Sequence, residues 1–123
     1  MCGRFVSSNT PDRIASSFGA SFDTGPAGGD ADGPTDGTSA RLEPLGENYN
    51  VAPTNDIYAV VADAQAQPTV RAFHWGLVPS WAKDIKIGSK MINARAETLA
   101  EKPAFKSLFR SKRIIVPMDG FYE

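Results

Sequence analysis

Two apolar runs joined by a polar turn constrain this chain more than any other feature. Ile57 to Ala62 reads Ile-Tyr-Ala-Val-Val-Ala, Thr69 to Leu77 is similarly rich in strand-forming residues, and Asp63 to Pro68 between them is turn-forming. Alternation along the second run sets Val70, Ala72 and His74 on one face and Arg71, Phe73 and Trp75 on the other. The pattern predicts a β-hairpin around which the rest of a single domain must be arranged.

The flanking segments supply shorter elements. Met1 to Val6 reads as extended. Asn9 or Thr10 followed by Pro11 opens a helix, with Ile14, Ala15 and Phe18 at helical spacing and Gly19 to close it. Order resumes at Tyr49–Thr54 after a long polar stretch. Gly76 to Gly88 is a loop carrying Pro79 and Trp81, and Met91 to Ala94 is short and extended. Glu97 to Arg110 is a broken helix restarted by Pro103, with Phe105, Leu108 and Phe109 as its apolar stripe. Arg113 to Pro117 predicts a buried central strand, and Gly120-Phe-Tyr122 begins another apolar run. A chain that stops where a strand is starting predicts a further C-terminal portion.

Residues 20–47 stand apart. The stretch from Thr24 to Ala40 has no large apolar side chain, so burial cannot offset the entropy of ordering it, and a disordered surface insertion is expected. Residues 20–47 hold six acids (Asp23, Asp30, Asp32, Asp36, Glu43, Glu47) against Arg41, a net −5. The overall charge of −1 therefore conceals a body of net +4. Such a body suits a phosphate backbone without demanding one. No run approaches the length of a membrane span, the N-terminus lacks the apolar stretch of a signal peptide, and the single cysteine forms no internal disulfide. The expectation is a cytoplasmic monomer with no membrane partner.

No metal-ligand cluster is visible and no cofactor is expected, since the one His and one Cys are far apart and Gly28-Gly29 precedes no helix. Cys2 is the residue with unusual chemistry. Removal of Met1 gives it a free α-amine beside its thiol, both partly nucleophilic near neutral pH. A 1,2-aminothiol condenses with an aldehyde to an imine and then closes a thiazolidine ring, which an internal cysteine cannot do. A small buried hydrophobe is the plainer reading of Cys2 taken alone. Trp75-Gly-Leu-Val-Pro-Ser-Trp81 offers two indoles to nucleobases, or two tryptophans to a core. If Ile92-Asn-Ala-Arg-Ala-Glu97 is extended, Asn93, Arg95 and Glu97 share one face, and the Arg95 fork suits a phosphate. Asp119 and Glu123 flank Gly-Phe-Tyr as candidate acid/base carboxylates.

Five segments occur in one order: Met1-Cys-Gly-Arg-Phe5, Tyr49-Asn-Val-Ala-Pro53, Trp75 to Trp81, Ile92-Asn-Ala-Arg-Ala-Glu-Thr98, and Val116-Pro-Met-Asp-Gly-Phe-Tyr-Glu123. Together they closely resemble the SOS response-associated peptidase family, also called abasic-site processing proteins, over the whole chain apart from the insertion. The resemblance implies an α+β fold: a twisted, barrel-like antiparallel sheet with flanking short helices. It implies that Cys2, once Met1 is released autocatalytically, forms a thiazolidine crosslink with abasic sites in single-stranded DNA. Asn93 matches an asparagine that orients the N-terminal residue or the opened sugar, and Glu123 a glutamate that shuttles protons. Arg4 and Arg95 match phosphate-holding positions, Trp81 an aromatic wedge, and Pro53 belongs to the same DNA-binding set. The family's later histidine, in a His-x-Arg-Met-Pro motif, has no counterpart here, and His74 is not its equivalent. A thiol peptidase acting on other proteins and an inactive truncated remnant are the competing readings. The first would need a general base that this chain does not obviously supply.

Overall fold

The hairpin is the common wall of two apolar clusters. In the computed structural model, which describes residues 2–22 and 44–123, β4 (Asp56–Ala62) and β5 (Pro68–His74) pair antiparallel from Asp56 opposite His74 to Ala62 opposite Pro68. Before them come β1 (Phe5–Ser7), helix α1 (Pro11–Phe18), β2 (Ser21–Phe22) and β3 (Asn48–Val51). After them come 3-10 turns at Ile85–Lys90 and Ala96–Thr98, helix α2 (Pro103–Ser111), β6 (Ile114–Ile115) and β7 (Gly120–Phe121). The turn after β4 is closed by Asp63, whose carboxylate accepts the main-chain N–H groups of Gln65 and Gln67 at 2.9 and 2.8 Å.

Strand periodicity divides β4 between the clusters. Tyr58 and Val60 join Ile14, Ala15, Val70 and Ala72 beneath α1, while Ile57 joins Phe5 and Val51. Cys2, Trp75 and Val116 pack on the edge of this second cluster. Helix α1 forms for the expected local reasons. The Thr10 hydroxyl accepts the Arg13 N–H, Pro11 occupies the first turn, and Gly19 ends the helix in the left-handed region at φ 59°. Ile14 and Ala15 are buried by it, whereas Phe18 stays 40% exposed.

The strands make two ladders, β3-β1-β7 and β2-β5-β4-β6. The α+β class holds, but among the described residues neither ladder closes into a barrel, and the second is mixed because β2 runs parallel to β5. Ser21 and Phe22 lie inside the stretch expected to be a disordered insertion and are nonetheless a strand, seated against Thr69 and Val70. Residues 23–43 of that stretch lie outside the described residues.

The expected buried central strand at Arg113–Pro117 is corrected. Only Ile114 and Ile115 pair, with Val61 and Val60 respectively, and they are 48% and 55% exposed at the ladder's edge. Apolar content argued for burial there, but among the described residues β6 has a neighbour on one side only. The broken-helix expectation holds. The broken helix is a 3-10 turn followed by α2, restarted at Pro103, although none of its stripe is fully buried.

Candidate active site

Cys2 sits on an apolar floor with polar groups around its main chain. It is half-buried, packing at the margin of Phe5, Val51 and Ile57. The floor is aromatic: the Phe5 and Trp75 rings lie 5.2 Å apart, tilted by 56°. The Cys2 thiol points toward the Arg4 carbonyl, with Sγ and O 3.8 Å apart. The decisive long-range contact comes from Asn93, whose Nδ2 donates to the Cys2 carbonyl oxygen at 2.9 Å.

Three sequence-distant segments fix this arrangement. Strand β7 pairs with β1, Phe5 facing Phe121, and the Tyr122 N–H donates to the Arg4 carbonyl at 3.0 Å. Continuing that register sets Glu123 opposite Gly3, one residue from Cys2. On the other flank, the Arg4 guanidinium donates to Oδ1 of Asn50 on β3 at 2.9 Å. Tyr122 also donates its phenolic O–H to the Tyr49 carbonyl at 2.6 Å, linking β7 to β3 across β1.

The third segment is the loop between Trp75 and Asn93. Its base is closed by the Leu77 N–H donating to the Met91 carbonyl at 3.1 Å, and by Trp75 Nε1 donating to the Ile92 carbonyl at 3.4 Å. Gly76 and Gly88 meet backbone to backbone there. A Cβ on Gly76 would lie 2.4 Å from the Gly88 oxygen, and Gly76 has φ 134°, so only glycine fits. The loop thus delivers Asn93 to Cys2 through a tight glycine contact. Opposite it, the Ala52–Asn55 turn holding half-buried Pro53 is strapped to Trp75: the Thr54 N–H donates to the Trp75 carbonyl and the Trp75 N–H to the Asn55 carbonyl, both at 2.9 Å.

The other expected site residues fall into place unequally. Trp81 is 64% exposed on the loop, while Trp75 is the floor beneath Cys2, so the two indoles have separate environments. Arg95 is exposed and extended, two residues past Asn93, but Glu97 has entered the 3-10 turn. The shared face expected for Asn93, Arg95 and Glu97 therefore ends at Arg95. Asp119 is corrected as an acid/base candidate. Its carboxylate accepts the Ser8 N–H at 2.8 Å, the Ser8 hydroxyl at 2.9 Å and the Asn9 amide, tying β7 to the start of α1. Those bonds, the Ser8 N–H first, hold its carboxyl below the ordinary range. His74 faces Asp56 across the hairpin, Nδ1 to Oδ1 3.6 Å. Sequence reading missed Asn50, which no local pattern marks as a partner for Arg4. It also missed three lysines after Trp81, whose spacing at 83, 86 and 90 was visible.

Among the described residues no group of three or more His, Cys, Asp or Glu side chains is arranged to hold a metal ion. No helix among them is long and apolar enough to cross a membrane.

A thiol-bearing second residue, held through its carbonyl by an asparagine and flanked by a β3-β1-β7 ladder, defines a candidate cysteine-centred site near the chain's N-terminus. The family model of the SOS response associated peptidases (SRAP) matches residues 1–123, and the chain belongs to that family. It is 44% identical over 126 residues to the abasic site processing protein YoaM of Bacillus subtilis, a match covering all of this chain and 47% of that protein. It is 32% identical over 134 residues to the abasic site processing protein HMCES of Xenopus tropicalis, covering all of this chain and 38% of the relative. Over a shorter span of 76 residues it is 54% identical to YobE of Bacillus subtilis, which carries the same description. The chain spans about half the length of the bacterial relatives it matches end to end. No solved structure matches it.

Proposed function

We propose that this chain carries the nucleophile of an abasic-site processing protein, and that Cys2, freed of Met1, joins covalently to the aldehyde of an abasic site in single-stranded DNA. The observation that carries the reading is the Asn93–Cys2 hydrogen bond, which restrains Cys2 through its main chain while the residue stays only half-buried. The relatives' description as abasic site processing proteins supports the abasic site as the target.

The reaction balances with the loss of one water. The Cys2 α-amine adds to the aldehyde carbon, and the resulting hydroxyl departs as water with a proton supplied by an acid, giving an imine. The thiol sulfur then bonds to the same carbon as its proton passes to nitrogen, closing the thiazolidine ring. Glu123, opposite Gly3 by register, is the carboxyl we assign to the proton transfers. Asn93 restrains the Cys2 main chain so that amine and thiol stay directed at one carbon, which removes part of the entropic barrier. Arg4 and Arg95 take the flanking phosphates through their planar forks, and Pro53 and Trp81 border the displaced bases. The Cys2 thiol also releases Met1: it attacks the Met1 carbonyl carbon, the Met1–Cys2 amide bond breaks to free the α-amine, and water hydrolyses the resulting thioester to methionine and thiol. The chain acts as a monomer in the cytoplasm, where reducing conditions keep the Cys2 thiol free.

Incubating the chain with single-stranded DNA carrying one abasic site tests this. A heat-stable band of higher mass that disappears in Cys2→Ser is expected. Absence of the band from the unmodified chain would sink the proposal. An uncleaved N-terminal tag on Cys2 should also abolish the band, because the α-amine is consumed in the ring. A second reading, hydrolysis of other proteins, would need a general base beside the Cys2 thiol; His74 faces Asp56 across the hairpin, Nδ1 to Oδ1 3.6 Å.

A further inference from the structure

The residue that holds the Arg4 side chain is Asn50, 46 positions away, whose Oδ1 accepts from Arg4 Nη1 at 2.9 Å. Strand β3 brings it there through an irregularity in its pairing with β1. Phe5 lies opposite Val51 but Ser7 lies opposite Asn48, so β3 carries one more residue than β1 between those pairs. Such a bulge re-aims the side chains within it. Two bonds pin it: Asn48 Oδ1 accepts the Asn50 N–H at 2.9 Å, and the Tyr49 carbonyl accepts the Tyr122 O–H at 2.6 Å. Asn50 is thereby exposed beside Arg4, while Phe5 and Val51 are buried.

The chemistry of this partner carries information. An arginine fork pairs most strongly with a carboxylate, and the ladder has two at hand. Glu47 Oε2 accepts the Tyr49 O–H at 3.1 Å, and Asp119 is held by Ser8 and Asn9. Among the described residues no ion pair involves Arg4. An amide oxygen sets the direction of the fork through one N–H; it neither cancels the charge nor fills the fork as a carboxylate would. Arg4 is two residues from Cys2, and its carbonyl accepts the Tyr122 N–H at 3.0 Å, so its main chain and side chain are both fixed close to the nucleophile.

We propose that Asn50 is a positioning residue for the reaction at Cys2: the bulge in β3 aims a neutral acceptor at Arg4, which directs the guanidinium at a DNA phosphate with its charge intact. This rests on the DNA reading above and adds the residue on which the direction of Arg4 depends. The sign of one substitution separates this role from simple support of the fold. A carboxylate in place of the Asn50 amide is the stronger acceptor for an arginine and would serve the fold at least as well. It would also occupy the fork and cancel the charge that a phosphate needs.

The test uses the full chain in two assays: anisotropy binding of undamaged oligothymidylate across a salt series, and single-turnover crosslinking across a concentration series of single strand with one abasic site. Arg4→Gln sets the reference and should lower the slope of log affinity against log salt by about 0.7, one phosphate contact. Asn50→Asp should lower the slope by a similar amount, with a thermal midpoint at or above that of the parent. Asn50→Ala, which adds no charge, should weaken binding roughly 5-fold, and Asn50→Gln, which keeps the amide, should recover part of that loss. In crosslinking, Asn50→Ala and Asn50→Asp should raise the half-saturating DNA concentration and not lower the limiting rate, the pattern of lost binding. In the Arg4→Gln background Asn50→Ala should have no further effect, because Asn50 acts through Arg4. If Asn50→Ala unfolds, Asn50→Asp, which keeps an acceptor, carries the reading. Parent-like binding by Asn50→Asp overturns the proposal, as does an Asn50→Ala effect of equal size without Arg4. An unchanged slope in Arg4→Gln overturns it together with the phosphate role of Arg4. A parent that does not crosslink, but whose variants bind oligothymidylate in the expected order, sustains the positioning role and rejects only the covalent chemistry.

Discussion

Asn93 and Cys2, 91 positions apart, are joined by a 2.9 Å hydrogen bond from side-chain amide to main-chain carbonyl. Asn93→Ala removes the donor, and Asn93→Asp replaces it with a group that repels the carbonyl. A hydrogen bond of this kind is worth about 1 kcal/mol net, so Asn93→Ala should slow single-turnover crosslinking by roughly 5- to 10-fold. Asn93→Asp should slow it more. Because Asn93 is exposed, the thermal midpoint of either variant should fall by only a few degrees.

Gly76→Ala tests how the asparagine is delivered. The added methyl would meet the Gly88 carbonyl at 2.4 Å, in a conformation that disfavours any side chain. The change should destabilise the chain by about 1–3 kcal/mol in a denaturant titration and loosen the loop base. Trp75 fluorescence, read in a Trp81→Phe background, should shift as its Nε1–Ile92 contact opens.

Much of this fold was legible because its signals are local. Thr10, Pro11 and Gly19 announce both ends of α1, and alternation from Ile57 through Trp75 announces the hairpin and its two faces. What was not legible depends on distant partners. Nothing in Ser21-Phe22 foretells a parallel pairing to β5, and the isoleucines of β6 look like core until the topology leaves them at an edge. The site divides the same way. Cys2 was recognisable from position, and Asn93 from its motif. Their contact needs the Gly76–Gly88 approach, which no spacing rule encodes. Asp119 resembled a catalytic carboxylate because sequence shows its charge and not its hydrogen-bond donors at Ser8 and Asn9.

Asp119 should give the chain an acid-sensitive component of stability. Its folded carboxyl is held below the ordinary value of 3.8 by the Ser8 and Asn9 donors. A depressed carboxyl contributes fully above its unfolded value and loses that contribution as pH falls through the lower folded value. The denaturation midpoint should thus drop as pH is taken from about 4 downward. Asp119→Asn should cost about 1 kcal/mol at pH 7, a figure kept small by exposure, and should flatten that acid drop. Midpoints at pH 7 and in the acid limb of both proteins check it.

Thr54 offers a stabilising change. It is a β-branched residue at φ 76°, held there by the Ala52–Asn55 turn and the bond from its N–H to Trp75. Thr54→Gly removes the steric strain and keeps the main-chain bond. A rise in stability of about 1 kcal/mol is expected by thermal melting, after the entropy that glycine adds to the unfolded chain is counted.

The central claim is that one residue supplies both heteroatoms of the ring, the α-amine nitrogen and the thiol sulfur. Intact-mass measurement of the chain after reaction with an abasic single strand reads it directly. The expected species is the chain without Met1 plus the DNA, lighter by one water and stable to heat, with the linked peptide mapping to Cys2. It should be missing from Cys2→Ala. An adduct of the same mass that persists in Cys2→Ala, or that maps to a lysine, would contradict the account.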